Sequence, residues 1–79
     1  QMTLRIKYFG MTAEASGKEE EELLNHYSSI QELKEALFVK YPNLEKMNFK
    51  IAVNHTMIKA DYDLIGNEEI ALLPPFAGG

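Results

Sequence analysis

Met2, Leu4, Ile6 and Tyr8 alternate with Thr3, Arg5 and Lys7 at the start of the chain, and a period of two marks a strand with one face in a core and the other in water. Phe9-Gly10 closes that strand, and Met11 to Ser16 reads as a short helical turn stopped by Gly17. The acidic run Glu19 to Glu22 leads into Leu23 and Leu24. A second strand is expected over Glu20 to His26, folded back on the first as a hairpin, with its glutamates forming a solvated face or a protected sheet edge. Ser29-Ile30-Gln31-Glu32 is a capping box, a serine N-cap with a glutamate three residues on, and a helix begins there. Ile30, Leu33, Leu37 and Tyr41 fall at helical spacing with Ala36 beside them, so one side of this helix packs on a sheet. Pro42 ends it at Tyr41.

Asn43 to Asn48 reads as a loop or a single turn, after which Phe49, Ile51 and Val53 alternate as a third strand. Asn54-His55 predicts a tight turn into a short strand over Thr56 to Lys59. Asp61 to Asn67 is rich in turn residues, and Gly66-Asn67 reverses the chain. Ile70 to Leu73 is apolar without alternation, which predicts a central strand covered on both faces. The order is strand, strand, helix, strand, short strand, strand. That layout predicts an α+β, ubiquitin-like β-grasp fold: a mixed sheet of about four to five strands packed against one main helix, with the last strand beside the first.

The apolar run does not end in an ordinary loop. Leu72-Leu73 breaks into Pro74-Pro75, and Phe76-Ala77-Gly78-Gly79 follows. Proline lacks the backbone N–H and fixes φ, so the pair stops sheet pairing and stiffens an extended path. The expectation is a single domain over 1–79 with a projecting tail over 74–79. Glycine backbone without Cβ atoms can pass through a narrow channel, and four extended residues after Pro75 would reach about 13 Å at ~3.3 Å each. The group delivered at the end would be the Gly79 α-carboxylate.

Composition removes most alternatives. Seventy-nine residues, 46% of them hydrophobic, hold one small core and no second domain. The chain has no cysteine, which excludes disulfides, thiolate metal sites and thiol nucleophiles and agrees with a reducing compartment. No apolar run approaches the ~20 residues that span a bilayer, and the N-terminus has no signal-peptide pattern. A cytoplasmic domain without membrane attachment is therefore expected. Gln1 before Met2 reads as the remnant of a cleaved tag. The formal net charge of −4 disfavours nucleic acid, whose binding depends on clustered Lys and Arg.

Catalytic groups within the body are sparse. His26 and His55 are distant in sequence and read as surface or structurally bonded side chains. Asp61 and Asp63 share a loop without the further oxygen ligands calcium requires, so they read as turn residues, and no metal site is expected. Ser29 is explained as a cap, and Met2, Met11, Met47 and Met57 as core filling. The body is expected to be a handle, with chemistry at the Gly79 carboxylate performed by partners. A carboxylate becomes a usable electrophile once adenylated. Attack by a sulfur donor then leaves a thiocarboxylate, whereas attack by a lysine amine makes the domain a protein tag; the Gly-Gly end is compatible with both.

Ala52-Val53-Asn54, Asp63-Leu64 with Gly66 to Glu69, and above all Pro74-Pro75-Phe76-Ala77-Gly78-Gly79 carry a resemblance over essentially the whole chain. The sequence resembles the MoaD/ThiS sulfur-carrier family, and within it the MoaD small subunits of molybdopterin synthases, which typically end in Pro-Pro, two variable residues and Gly-Gly. ThiS, the sulfur carrier for the thiazole of thiamine, shares the fold and the Gly-Gly end but usually lacks the Pro-Pro; ubiquitin-related modifiers are a third relative. Many MoaD sequences carry Arg-Glu where this chain has Ala13-Glu14, so the contacts of that arginine are not carried over.

The resemblance implies a cycle. A MoeB-like enzyme would adenylate Gly79 with ATP and magnesium, no cofactor being bound by this chain itself, and a sulfurtransferase would deliver sulfur. The thiocarboxylate would then enter the catalytic pocket of a MoaE-like large subunit, in a heterotetramer of two small and two large subunits, and pass sulfur to cyclic pyranopterin monophosphate in molybdenum cofactor biosynthesis. The chain would thus be the accessory subunit of a sulfurtransferase. Pro74, Pro75, Phe76, Ala77 and Gly78 would make the partner contacts of the arm, and Phe9 would add an apolar contact from the exposed sheet face.

Overall fold

The computed structural model describes residues 3–75. Five strands form one sheet: β1 (Leu4–Tyr8), β2 (Glu20–Leu23), β3 (Lys50–Val53), β4 (Thr56–Ile58) and β5 (Glu69–Leu73), in the order β2-β1-β5-β3-β4. β1 and β5 run parallel at the centre, and the other pairings are antiparallel. Among the described residues there are also three helices: α1 (Met11–Ser16), α2 (Ile30–Lys40) and α3 (Pro42–Glu45). This is the expected ubiquitin-like β-grasp, with α2 as the main helix.

Alternation decides which side of the sheet α2 covers. Leu4, Ile6 and Tyr8 of β1, Ile70 and Leu72 of β5, Ile51 and Val53 of β3 and Leu23 of β2 share one core with Ile30, Leu33 and Leu37 of α2, joined by Leu44 and Leu64. The helical stripe of the sequence is thus the buried stripe. Ser29 caps α2 by accepting from the Glu32 N–H at 3.2 Å. The reciprocal arm of the capping box lands one residue earlier than the motif prescribes, with Glu32 Oε1 accepting from the Ser28 N–H at 2.7 Å. Asp61 adds a second cap: its Oδ1 accepts from the Gln31 N–H at 2.9 Å. This turn residue therefore ties the β4–β5 connection to the start of α2.

Several expectations need correction. β2 ends at Leu23 rather than His26, because its pairing finishes where Leu23 meets Leu4, the first residue of β1. β5 is central but covered on one face only: Ile70 and Leu72 are buried, whereas Glu69, Ala71 and Leu73 are partly exposed. The unbroken apolar run concealed an alternation in which alanine and leucine occupy the open face. Met11 and Met57 are not core residues, at 44% and 37% exposure. The Asn43–Asn48 segment, expected as a loop or a single turn, opens within the single helical turn of α3, which Pro42 starts. Asn54 and His55 form the predicted tight turn with φ of 50° and 72°, the positive pair that two-residue hairpin turns demand. Met2, assigned to the first strand, lies outside the described residues.

Candidate functional site

The point where the chain leaves the sheet is built from three segments. β1 and β5 are parallel neighbours with Tyr8 opposite Leu72, so Phe9-Gly10 and Leu73-Pro74 emerge side by side at one end of the sheet. The Phe9 N–H donates to the Leu72 carbonyl at 3.2 Å and to Thr12 Oγ1 at 2.9 Å. Thr12 is buried, and its hydroxyl lies within donating distance of Phe9 O at 2.8 Å and Leu72 O at 3.0 Å. One side chain at the start of α1 thereby locks the end of β1 to the end of β5.

Gly10 completes this exit. Its φ of 59° and ψ of −127° belong to a region L side chains avoid. A Cβ built there would stand 2.9 Å from Pro74 Cγ. The close approach of Gly10 to Pro74 and the half-buried setting of that proline show that the first tail residue is seated on the body. Pro75 is exposed. The predicted partner contacts Phe76, Ala77 and Gly78, and the reactive Gly79, lie outside the described residues.

Around the exit, the uncovered face of the sheet is apolar at its centre and charged toward its margins. Cross-strand register sets Lys7, Ala71, Ala52 and Met57 in one row, with Leu73 beside Lys50 in the next. Phe9, 44% exposed, borders Leu73 in a concavity of about 290 Å³ that also touches Ala52 and Ala71. Phe9 thus lies on the open face of the sheet, near the root of the tail. Lys7 and His55 both approach the Glu69 carboxylate, at 3.6 and 3.5 Å. His55 is a surface side chain at 82% exposure of its side chain.

Opposite this face lies a group that sequence reasoning missed. Glu21, one of four consecutive glutamates, turns into the helix side and accepts from Tyr8 Oη at 2.7 Å, Tyr41 Oη at 2.6 Å and Lys40 Nζ at 2.7 Å. Burial by itself pushes this carboxyl up, but the hydrogen bonds from Lys40, Tyr41 and Tyr8 together outweigh it and hold the group at about 2. Burial, followed by the hydrogen bond to Glu21, raises the Tyr8 phenol far above its ordinary value. The bond to Glu21 likewise raises the Lys40 ammonium. The signal was available in the parity, because Glu21 is two residues from Leu23 and shares its face. Its role is structural, joining β2 to the end of α2. Glu68 is a buried carboxylate, accepting from the Ile65 and Gly66 N–H groups at 2.8 Å each.

Among the described residues, no three His, Cys, Asp or Glu side chains are placed to hold a metal ion, and no helix is long and apolar enough to cross a membrane. What is present is an anchored exit for a tail and an open apolar face beside it. The model of the ThiS family matches residues 6–79, both the exit and the Gly-Gly end included. The chain belongs to the ThiS family.

Solved structures agree on the fold of this ThiS-family chain. A putative molybdopterin converting factor subunit 1 from Pyrococcus furiosus superposes with a TM-score of 0.83 at 21% identity, over 95% of this chain and 99% of that one. Small archaeal modifier protein 1 from Haloferax volcanii gives 0.78 at 20% identity, over 98% and 99%. A chain from the complex of subunits 1 and 2 of the molybdopterin-converting factor of Helicobacter pylori gives 0.70 at 25% identity, over 99% and 100%.

Proposed function

We propose that this chain is the sulfur-carrying small subunit of a molybdopterin synthase, with Gly79 as the carrier group. The reading is carried by the family match that runs through residue 79, together with a Pro-Pro-x-x-Gly-Gly ending. The two molybdopterin converting factor structures similar to it support the same choice. Gly79 carboxylate oxygen attacks the α-phosphorus of ATP on a MoeB-like enzyme and pyrophosphate leaves. A persulfide from a sulfurtransferase attacks the acyl-adenylate carbonyl and AMP departs; reductive cleavage of the resulting acyl disulfide by a thiol leaves the thiocarboxylate. The body supplies no acid, base or metal to these steps; it holds the root of the tail and offers its open face to partners. With net charge −4, the anionic pterin substrate is held by the MoaE-like large subunit, in a heterotetramer.

The test is intact mass spectrometry after incubation with an activating enzyme, ATP, magnesium and a sulfur source. One oxygen replaced by sulfur at the C-terminus is expected. An unchanged mass, under conditions that charge a known MoaD, would refute the reading. A ThiS-like role in thiazole synthesis differs only in the acceptor, and is separated by asking whether the charged protein converts cyclic pyranopterin monophosphate together with a MoaE-like subunit. Similarity to small archaeal modifier protein 1 supports a second reading, a ubiquitin-like modifier. In that case a denaturing pull-down recovers the chain joined to lysines of other proteins by isopeptide bonds.

A further inference from the structure

Cations in this acidic chain divide into two groups. Of eight Lys and Arg side chains, Arg5, Lys7, Lys18 and Lys40 each reach a carboxylate. Lys34, Lys46, Lys50 and Lys59 form no ion pair among the described residues, although the chain carries twelve acids. Three of these four, Lys34, Lys50 and Lys59, line one groove of about 310 Å³ between the first turns of α2 and the β3–β4 margin of the sheet. Ile30, Ile51, Ile58 and Phe49 also line it; Ile30 and Ile51 are buried and the other two partly buried. Asp61 is the single acid at this groove, and its Oδ1 is committed to the Gln31 and Tyr62 N–H groups.

The groove also borders a sheet edge. β4 is the outermost strand on this side, and an edge strand presents outward N–H and C=O groups that an extended chain can pair with. An apolar floor, a cationic rim and an open edge together define one kind of occupant. We propose that this groove docks an extended, acidic segment of a partner protein, which adds to β4, seats alternate branched apolar side chains between Ile58 and α2, and sets its carboxylates against Lys34, Lys50 and Lys59. The site lies away from the root of the tail and shares only its Lys50 margin with the open sheet face, so it does not depend on the chemistry proposed for Gly79.

The experiment is an amide-resolved NMR titration of the full chain at low salt with a synthetic peptide, Glu-Val-Glu-Ile-Glu-Val, blocked at both ends. Shifts concentrated at Ile30 to Lys34, Phe49 to Ile51 and Thr56 to Asp61 are expected. The combined Lys34→Glu, Lys50→Glu, Lys59→Glu variant should bind about tenfold more weakly or worse, and the corresponding Lys→Gln variant should show an intermediate loss. Unchanged amide positions away from the groove would establish that both variants remain folded. Shifts confined to other surfaces, equal binding by a peptide with glutamine in place of glutamate, or unaltered affinity in both variants would overturn the proposal. Binding of inorganic tripolyphosphate but not of the peptide would replace it with a small-anion site, and shifts at these residues on raising protein concentration alone would replace it with self-association.

Discussion

At Gly10 a hydrogen atom in place of a methyl group sets the path of the chain. The residue combines a positive φ with a 2.9 Å approach of any Cβ to Pro74, so Gly10→Ala meets both backbone strain and a clash with a rigid ring. A loss of about 1–3 kcal/mol is expected in denaturant unfolding, with slower charging of Gly79 because the tail root is displaced. Thr12→Val tests the neighbouring lock. It preserves shape but removes one partner each from the Leu72 carbonyl and the Phe9 N–H, which keep their mutual bond, at a cost of about 0.5–1.5 kcal/mol. Glu21 makes a prediction in pH. Its folded value of about 2 lies below the ordinary carboxylate value of 4.5, so its contribution, on the order of 3 kcal/mol, is complete above pH 4.5. It declines as pH falls from 4.5 toward 2 and is gone below that. In Glu21→Gln, thermal unfolding between pH 7 and pH 2 should show lower stability at neutral pH and a shallower acid slope.

Among the elements, α2 and α1 follow directly from local rules. The serine cap, the apolar spacing and Pro42 bracket α2, and Gly17 in the left-handed conformation, with φ of 74°, closes α1 as the sequence requires. Ser29→Ala removes the side-chain acceptor at the start of α2 and is expected to cost about 0.5–2 kcal/mol, read as a shift of the thermal midpoint. Asp61→Asn keeps an acceptor while removing charge near the helix N-terminus, and should cost less. Strands were legible in kind but not in length. The end of β2 depends on where its neighbour begins, a property of pairing rather than of residues 24 to 26. The open face of β5 escaped notice because alanine and leucine on the solvent side are indistinguishable in sequence from the same residues in a core.

For the whole molecule, the sheet has two unlike faces: one is covered by α2, and the other stays open beside the root of the tail. Phe9→Asp places a charge at the margin of that open face without touching the core. Unchanged unfolding together with a weaker complex with a MoaE-like subunit, measured by calorimetry, is the expected result. Deleting Gly79 or adding one residue after it should likewise abolish thiocarboxylate formation while leaving the unfolding midpoint intact. Parallel pairing of β1 with β5 places the tail root beside Phe9 and Gly10, although more than sixty residues separate them in the chain.

The order of elements, the capped helix, the two-residue hairpin turn and the Pro-Pro to Gly-Gly ending were determined by sequence alone, because each rests on local sterics, spacing or the chemistry of a single residue type. Tertiary structure decided which face of β5 stays open, that Glu21 is a partly buried acceptor while its neighbours are solvated, and that Gly10 and Thr12 hold the exit of the chain. These are contacts between residues distant in the chain. They exist only once the strands are in register, and local pattern carries no record of which distant partner a given face will meet.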